Sequence, residues 1–344
     1  MNTLLLGTDE KDIKTAGEIL SQGGLVGIPT ETVYGLAADA LNGKAVADIF
    51  KAKGRPMDNP LIVHISSMDD IEKFSLAADF NEKATSLAKA FWPGPLTIIV
   101  KKGESIPDEV SAGLNTVAIR FPENKIAQEI ISAANTPLAA PSANLSGSPS
   151  PTTAKHVMDD MNGKIQAVVD GGSCTVGLES TVITVATEIP RLLRPGGITV
   201  EEIEKVIGKI DVDNAVLHQL EEGAKVSSPG MKYKHYAPKA KVVLLRGNDE
   251  SYIDFVNNNK QEGVAALCYN EDVSFLSVEA FSLGNKKDYN LQAKRLFDCL
   301  RKIDDNPKIK LVYARCPKPD GVGMAVYNRL IRAAGFEVKD LEKI

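Results

Sequence analysis

Apolar positions recur along this chain in two rhythms, and the switches between them outline its architecture. Ile13, Ala16, Ile19 and Leu20 fall at helical spacing within residues 9–22, and the run stops at Gly23-Gly24 before a short strand pattern, LVGIP. A second helical stretch, AVADIFKAK, ends at Gly54 and Pro56 and gives way to PLIVHI. Further strand patterns are PLTIIVKK, TVAIRF, PLAAPS, QAVVD and STVITVAT, with helices predicted over 81–91, 126–134 and 200–207. Strands outnumber the helices that could cross between them. The pattern therefore predicts an α/β fold of α+β character, with a mixed, twisted open sheet instead of a strictly alternating parallel one.

Residues 209–240 hold no sustained period and contain SSPGMKYKHYAPKAK, a polar stretch punctuated by Pro229, Gly230 and Pro238 that reads as a linker. Beyond it, KVVLLRG, GVAALCYN and IKLVYARCP read as strands, and LQAKRLFDCLRKI and AVYNRLIRAAG as helices. The expected division is a first domain over 1–208, a linker over 209–240 and a smaller α/β domain over 241–344. A length of 344 residues suits two domains.

Composition narrows the class. With 43% hydrophobic and 25% charged residues the chain reads as globular, which excludes disordered, collagen-like and coiled-coil readings. A net charge of −5 offers no overall electrostatic grip on nucleic acid, although a local basic patch stays open. No apolar run approaches the roughly 18 residues of a membrane span, and no membrane association is expected. Cys174, Cys268, Cys299 and Cys316 form no CxxC pair and read as buried thiols of a reducing, cytoplasmic compartment. The four histidines show no HExxH spacing, so no metal cage of protein ligands is expected.

There is no GxxxxGK[ST] phosphate loop, and Gly321-Val322-Gly323 lacks the third glycine of a dinucleotide turn, Val326 standing in its place. Two other stretches carry chemistry. Lys53-Gly54-Arg55 closes a helix just before a strand. Lysine, glycine and proline in that order also simply end helices; read for function, Lys53 and Arg55 bracket a sharp turn and aim a point charge and a planar fork at one polyanion. Leu138-Ala139-Ala140-Pro141-Ser142-Ala143-Asn144 is an apolar strand ending in hydroxyl and amide groups. That end is a helix cap or Asx turn on one reading, and an anion site on the other. Thr32 in PTETVYG, His64, Thr116 and Arg120 on one strand pattern, Glu179-Ser180, and Arg194 before Pro195-Gly196-Gly197 add polar groups at the ends of several strands. Together they describe a cleft for a nucleotide and a small polar substrate.

The order PTETVYGL, KxRP with NPLIVHI, WPGPLT, TVAIRFP, APSAN, STVI and RPGG resembles the YrdC-like family, in particular the long, two-domain threonylcarbamoyl-AMP synthases. The resemblance is clearest over about residues 1–205; SPGMKYKHYAP and GVGMAVYNRLIRAAG resemble the linker and small C-terminal domain of the long form. It implies the YrdC-like open sheet with a smaller Rossmann-like domain, and an enzyme, a nucleotidyltransferase. That enzyme makes threonylcarbamoyl-adenylate and pyrophosphate from L-threonine, bicarbonate and ATP, with magnesium carried by ATP. The product serves a downstream transferase that modifies tRNA, with a possible weak contact to the tRNA. Carried onto this sequence, the family pattern puts Lys53, Arg55, Asn59, Ser142, Asn144 and Arg194 on ATP, with Thr116, Ser150 and the linker residues His235 and Tyr236 beside it. Thr32, His64, Arg120, Ala140 and Ser180 would hold threonine. Lys234, His235 and Tyr236 would fold over the nucleotide as a lid. The competing reading is a non-catalytic YrdC-like protein that binds double-stranded RNA or tRNA.

Overall fold

Local signals place the first element of the site. Asn42 caps the helix Gly43–Lys53, its side chain accepting from the N–H groups of Lys44 and Ala45 at 3.2 Å. Gly54 closes the helix at φ 61°, a left-handed conformation that suits glycine. The face bearing Val46, Ile49 and Phe50 is buried, and it carries Lys53, the last helical residue, into the interior with it.

The computed structural model describes residues 2–219 and 236–343. Among these, twelve strands form one sheet: β1 (Leu4–Leu6), β2 (Val26–Ile28), β3 (Gly35–Asp39), β4 (Ile62–His64), β5 (Ala77–Asp79), β6 (Leu96–Lys102), β7 (Thr116–Arg120), β8 (Leu138–Ala139), β9 (Ala167–Val169), β10 (Thr181–Thr184), β11 (Arg191–Arg194) and β12 (Asp211–Val212). The spatial order is β1-β9-β2-β3-β8-β4-β7-β6-β10-β11-β12, with β5 on the end of β6. Parallel and antiparallel pairs mix, as the scarcity of crossover helices predicts: β4 runs parallel to β7, while β8 is antiparallel to both β3 and β4. Leu36, Ile49, Val63, Ile98 and Ile119 form the main core on one side of this sheet.

The second sheet holds five parallel strands, β13 (Lys241–Arg246), β14 (Val264–Cys268), β15 (Glu279–Ser282), β16 (Leu311–Arg315) and β17 (Val338–Asp340), in the order β15-β14-β16-β13-β17. It is a Rossmann-like parallel layer, but β16 enters between β13 and β14. Its core of Leu244, Leu267, Phe297, Val312 and Leu330 is continuous with Val33 and Leu178 of the first domain. The two units meet through a packed apolar seam. At Gly177, φ +80, an added Cβ would lie 2.5 Å from the Lys294 backbone, so the seam depends on a glycine there.

The stretch expected as a linker begins as ordered structure. Asp211–Val212 extends the first sheet as β12, and the carbonyls of Ala215 and Val216 accept from Arg332 at 2.7 Å and Asn328 at 2.6 Å. Lys234 and His235 lie outside the described residues.

Candidate active site

The two stretches singled out as chemical meet in space. Lys53 Nζ donates to the carbonyls of Ser142 and, at 2.6 Å, Asn144, while the Lys53 carbonyl accepts from Ser146 N–H at 3.0 Å. Ser142 Oγ donates to Asn144 Oδ1 at 2.6 Å, and the Asn144 amide donates to the carbonyls of Leu145 and Ser148. The helix end and the loop after β8 are thereby sewn into one rim. Arg55 stands beside them; its Nη2 reaches only the Asn59 carbonyl at 3.4 Å, and its Nε is buried with no hydrogen-bond partner. Burial, and then the charge of Arg55, push the Lys53 amine well below its ordinary range, and burial pushes the Arg55 guanidinium down to about 10. The charges of Asp160 and Glu179 near Lys53 and of Asp58 near Arg55 offset burial only in part, and among the described residues no carboxylate is hydrogen-bonded to either cation.

The opposite end is built from the ends of β2, β4 and β7. Thr30 Oγ1 donates to the Val33 carbonyl at 2.6 Å and accepts from the Val33 N–H at 3.2 Å, which folds the polar turn after β2 inward. Arg120, at the end of β7, pairs with Glu31 Oε1 at 2.6 Å and donates to Thr32 Oγ1 at 2.8 Å. Both partners of that ion pair are buried. His64 closes β4 with Nδ1 3.2 Å from the Ile62 carbonyl. Burial and the nearby Arg120 charge push its pKa down to about 3, so the ring is neutral at physiological pH. This end holds one cation, one anion and a neutral imidazole.

A third wall joins the two ends. Arg194, at the end of β11, donates from Nε to the Ser180 carbonyl at 3.0 Å and from Nη2 to Ser180 Oγ at 3.1 Å, and Ser180 Oγ also bonds Thr97 Oγ1 at 2.7 Å. The RPGG loop has to pass close to this turn: an added Cβ on Gly196 would lie 2.3 Å from the Thr181 nitrogen. Tyr236 closes the wall with its ring 5.3 Å from that of Phe297, at φ +66°, a conformation that bulky residues rarely adopt. Ala237 N–H donates to the Gly147 carbonyl at 3.0 Å, so the chain leaving the linker rests on the same loop that Lys53 holds.

These groups enclose a cleft of about 750 Å³ including its open mouth. Lys53, Arg55, Ser142, Asn144, Arg194 and Tyr236 line one part of it, and Thr32, His64, Arg120, Ala140 and Ser180 the other. Three expected residues are not in the lining. Thr116 opens β7 opposite Lys101, four residues and about 13 Å along the strand from Arg120. It shares the face of Arg120 but not its end. Asn59 is buried behind Arg55, and Ser150 is buried with its hydroxyl on Glu179 Oε1 at 2.5 Å. His235 lies outside the described residues. The sequence pattern singled out neither Glu31 as the partner of Arg120 nor Arg329, which binds Glu179 from the second domain at 2.9 Å. The available signal was the helix Gly321–Ala333, apolar nearly all round, in which any arginine needs a buried partner.

Fold and cleft define a two-domain α/β protein with a small-molecule site at strand ends, cationic at one end and charge-balanced at the other. Residues 18–196 match a family model described as telomere recombination, and residues 198–335 match that of the threonylcarbamoyl-AMP synthase C-terminal domain. A threonylcarbamoyl-AMP synthase of Pyrococcus abyssi is 44% identical over 338 residues, 96% of each chain. One of Bacillus subtilis is 45% identical over 337 residues, 97% of this chain and 96% of the relative. The crystal structure of P. abyssi Sua5 complexed with L-threonine, 42% identical, matches with a TM-score of 0.90 over 98% of this chain and 99% of that one. The chain belongs to the threonylcarbamoyl-AMP synthase family, transferases of tRNA modification, in its two-domain form.

Proposed function

We propose that this chain joins L-threonine, bicarbonate and ATP into threonylcarbamoyl-adenylate with release of pyrophosphate, a nucleotidyl transfer that supplies a separate enzyme modifying tRNA. The observation that carries this reading is the convergence of Lys53 and Arg55 with the Ser142–Asn144 loop and Arg194 at one end of a cleft whose other end is charge-balanced. The name of the two full-length relatives and the threonine bound to the P. abyssi protein support it. The comparisons do not favour a non-catalytic RNA-binding protein.

The chemistry asks for positioning. Bicarbonate gives up hydroxide to become CO2, and a neutral threonine amine forms a bond to its carbon and loses a proton, which leaves with the hydroxide as water, to give a carbamate. A carbamate oxygen then attacks the α-phosphorus, and the bond to the departing pyrophosphate breaks with its electrons. Both steps join anions or near-anions, so fixed cations and N–H donors contribute more than a nucleophilic side chain. In this reading Arg120, held and neutralised by Glu31 behind it, receives threonine with Thr32, neutral His64 and Ser180, and threonine's own charges sum to zero. Lys53, Arg55, Asn144 and Arg194 receive the triphosphate. Magnesium enters with ATP and neutralises part of its charge. Among the described residues no cluster of three His, Cys, Asp or Glu could hold a metal ion, and Glu179 is already engaged by Ser150 and Arg329. Tyr236, resting against the cleft, is the described part of the expected lid, which would keep water from the carbamate and the adenylate. Among the described residues no helix is long and apolar enough to cross a membrane, and we place the reaction in the cytoplasm, where ATP and tRNA meet.

The test is to incubate the protein with ATP, magnesium, labelled bicarbonate and L-threonine. Label is expected in an adenylate only when threonine is present. Label retained as bicarbonate, or RNA binding with no ATP consumption, would overturn the reading.

A further inference from the structure

Glu179 is the only acidic side chain among the described residues that line the cleft. It is 6% exposed and lies between the Gly177 turn and Ser180, next to Arg194. Burial favours its protonated form, but Arg329, then Arg194, and the hydrogen bonds from Ser150 and the backbone together hold its pKa below the usual carboxylate value. An ionised carboxylate in the wall of a polyphosphate site does harm twice. It repels the ligand through a medium of low polarity, and it competes with that ligand for Arg194.

The structure answers the first difficulty from the other domain. Arg329, in the helix Gly321–Ala333, is 0% exposed and donates from Nε to Glu179 Oε2 at 2.9 Å and from Nη2 to the Glu179 carbonyl at 3.2 Å. Its Nη1 donates to the Pro195 carbonyl at 2.6 Å, one residue beyond Arg194, and its guanidinium stands 5.8 Å from the centre of the Tyr236 ring. One side chain of the small domain thus touches the Glu179 turn, the RPGG loop and Tyr236 of the linker. Arg194, for its part, keeps its Nε and Nη2 on Ser180.

We propose that Arg329 is a positioning residue that the second domain contributes to the nucleotide end of the cleft. It cancels the Glu179 charge and holds that carboxylate away from Arg194, so that Arg194 stays on Ser180 and faces the ligand. The small domain then completes the electrostatics of the active site. This inference rests on ATP being a substrate.

The test titrates magnesium-ATP into the full chain by calorimetry. Arg329→Met is expected to weaken ATP binding at least tenfold, about 1.4 kcal/mol, and Glu179→Gln added to the same chain is expected to restore it to within threefold of wild type. A merely structural arginine would show no such rescue. Arg329→Met binding ATP within twofold of wild type, or a double variant no tighter than the single one, overturns the inference. If Arg329→Met does not fold, the double variant decides: folded and within threefold of wild type supports the inference, and a tenfold weaker complex overturns it. A wild-type chain that binds no ATP overturns the substrate assignment instead.

Discussion

The two ends of the cleft are built on opposite electrostatic plans. At the end formed by β2, β4 and β7, Arg120 is spent on Glu31 and Thr32, and His64 is neutral, so the charges are paired before any ligand arrives, although the second Glu31 oxygen is buried without a hydrogen bond. At the other end, Lys53 is offered only carbonyl oxygens and Arg55 keeps a buried nitrogen without a partner. Matched groups hold a geometry. Unmatched cations raise the free energy of the empty site and are relieved by an anion, so that part of the binding energy is stored in the fold. The contrast teaches where substitutions register: at the matched end mainly as lost stability, at the unmatched end mainly as lost function.

The largest effect is expected from Arg120→Ala. It leaves Glu31 charged and buried without its partner, and breaking such a pair costs about 3–5 kcal/mol, measured as a shift of the urea midpoint at constant slope. A loss below 1 kcal/mol would put the two ends on the same footing. Arg55→Met comes next and should behave inversely, with kcat/KM for ATP falling roughly 10- to 150-fold, the worth of one charged hydrogen bond at about 1.5–3 kcal/mol. Its stability should be equal to wild type or higher, because a buried cation whose burial Asp58 offsets only in part has been replaced by an apolar chain. Ser180→Ala removes one neutral hydroxyl at the junction, and about 0.5–1.5 kcal/mol should appear as a few-fold rise in the KM for threonine, with a smaller rise for ATP because Arg194 Nε keeps the residue 180 carbonyl.

A pH dependence sharpens the comparison further. His64 has a folded pKa near 3 against an ordinary value of 6.5, so the unfolded chain takes up a proton first and wild-type stability falls as pH drops below 6.5 toward 3. His156, lowered to about 4, adds a loss of the same sign. His64→Asn removes only the His64 part, so the stability difference between wild type and variant should shrink steadily from pH 7 to pH 4. A difference that stays constant would mean that His64 titrates alike in the folded and unfolded chains.

Much of this was legible in the sequence because it is local. The 9–22 and 45–53 helices, their glycine stops and the VIL-rich strands are short-range patterns, and the KxR and SAN stretches announce themselves by residue type. What stayed hidden depends on distant partners. Leu4–Leu6 is a strand only because β9 offers it an edge, and Gly35–Asp39 shows no strand alternation of its own but is held between β2 and β8. Asp249–Asn258, capped by Asn248, places only Tyr252 and Val256 in the core, too sparse a stripe to stand out. The same holds in the site. Arg120 could point to either face of its strand on sequence alone; Glu31, 89 residues away, decides it. The link from Arg329 to Glu179 spans 150 residues and two domains, beyond the reach of any periodicity.

The central claim, that the unmatched end is a polyanion site and the matched end an amino-acid site, is tested most directly by thermal shift of wild type and Arg55→Met with each ligand separately. A ligand at one hundred times its Kd adds about 2.7 kcal/mol to the folded state. ATP is expected to raise the melting temperature of wild type and to do so far less in Arg55→Met, while L-threonine raises both alike. Equal protection of both proteins by ATP would contradict the account.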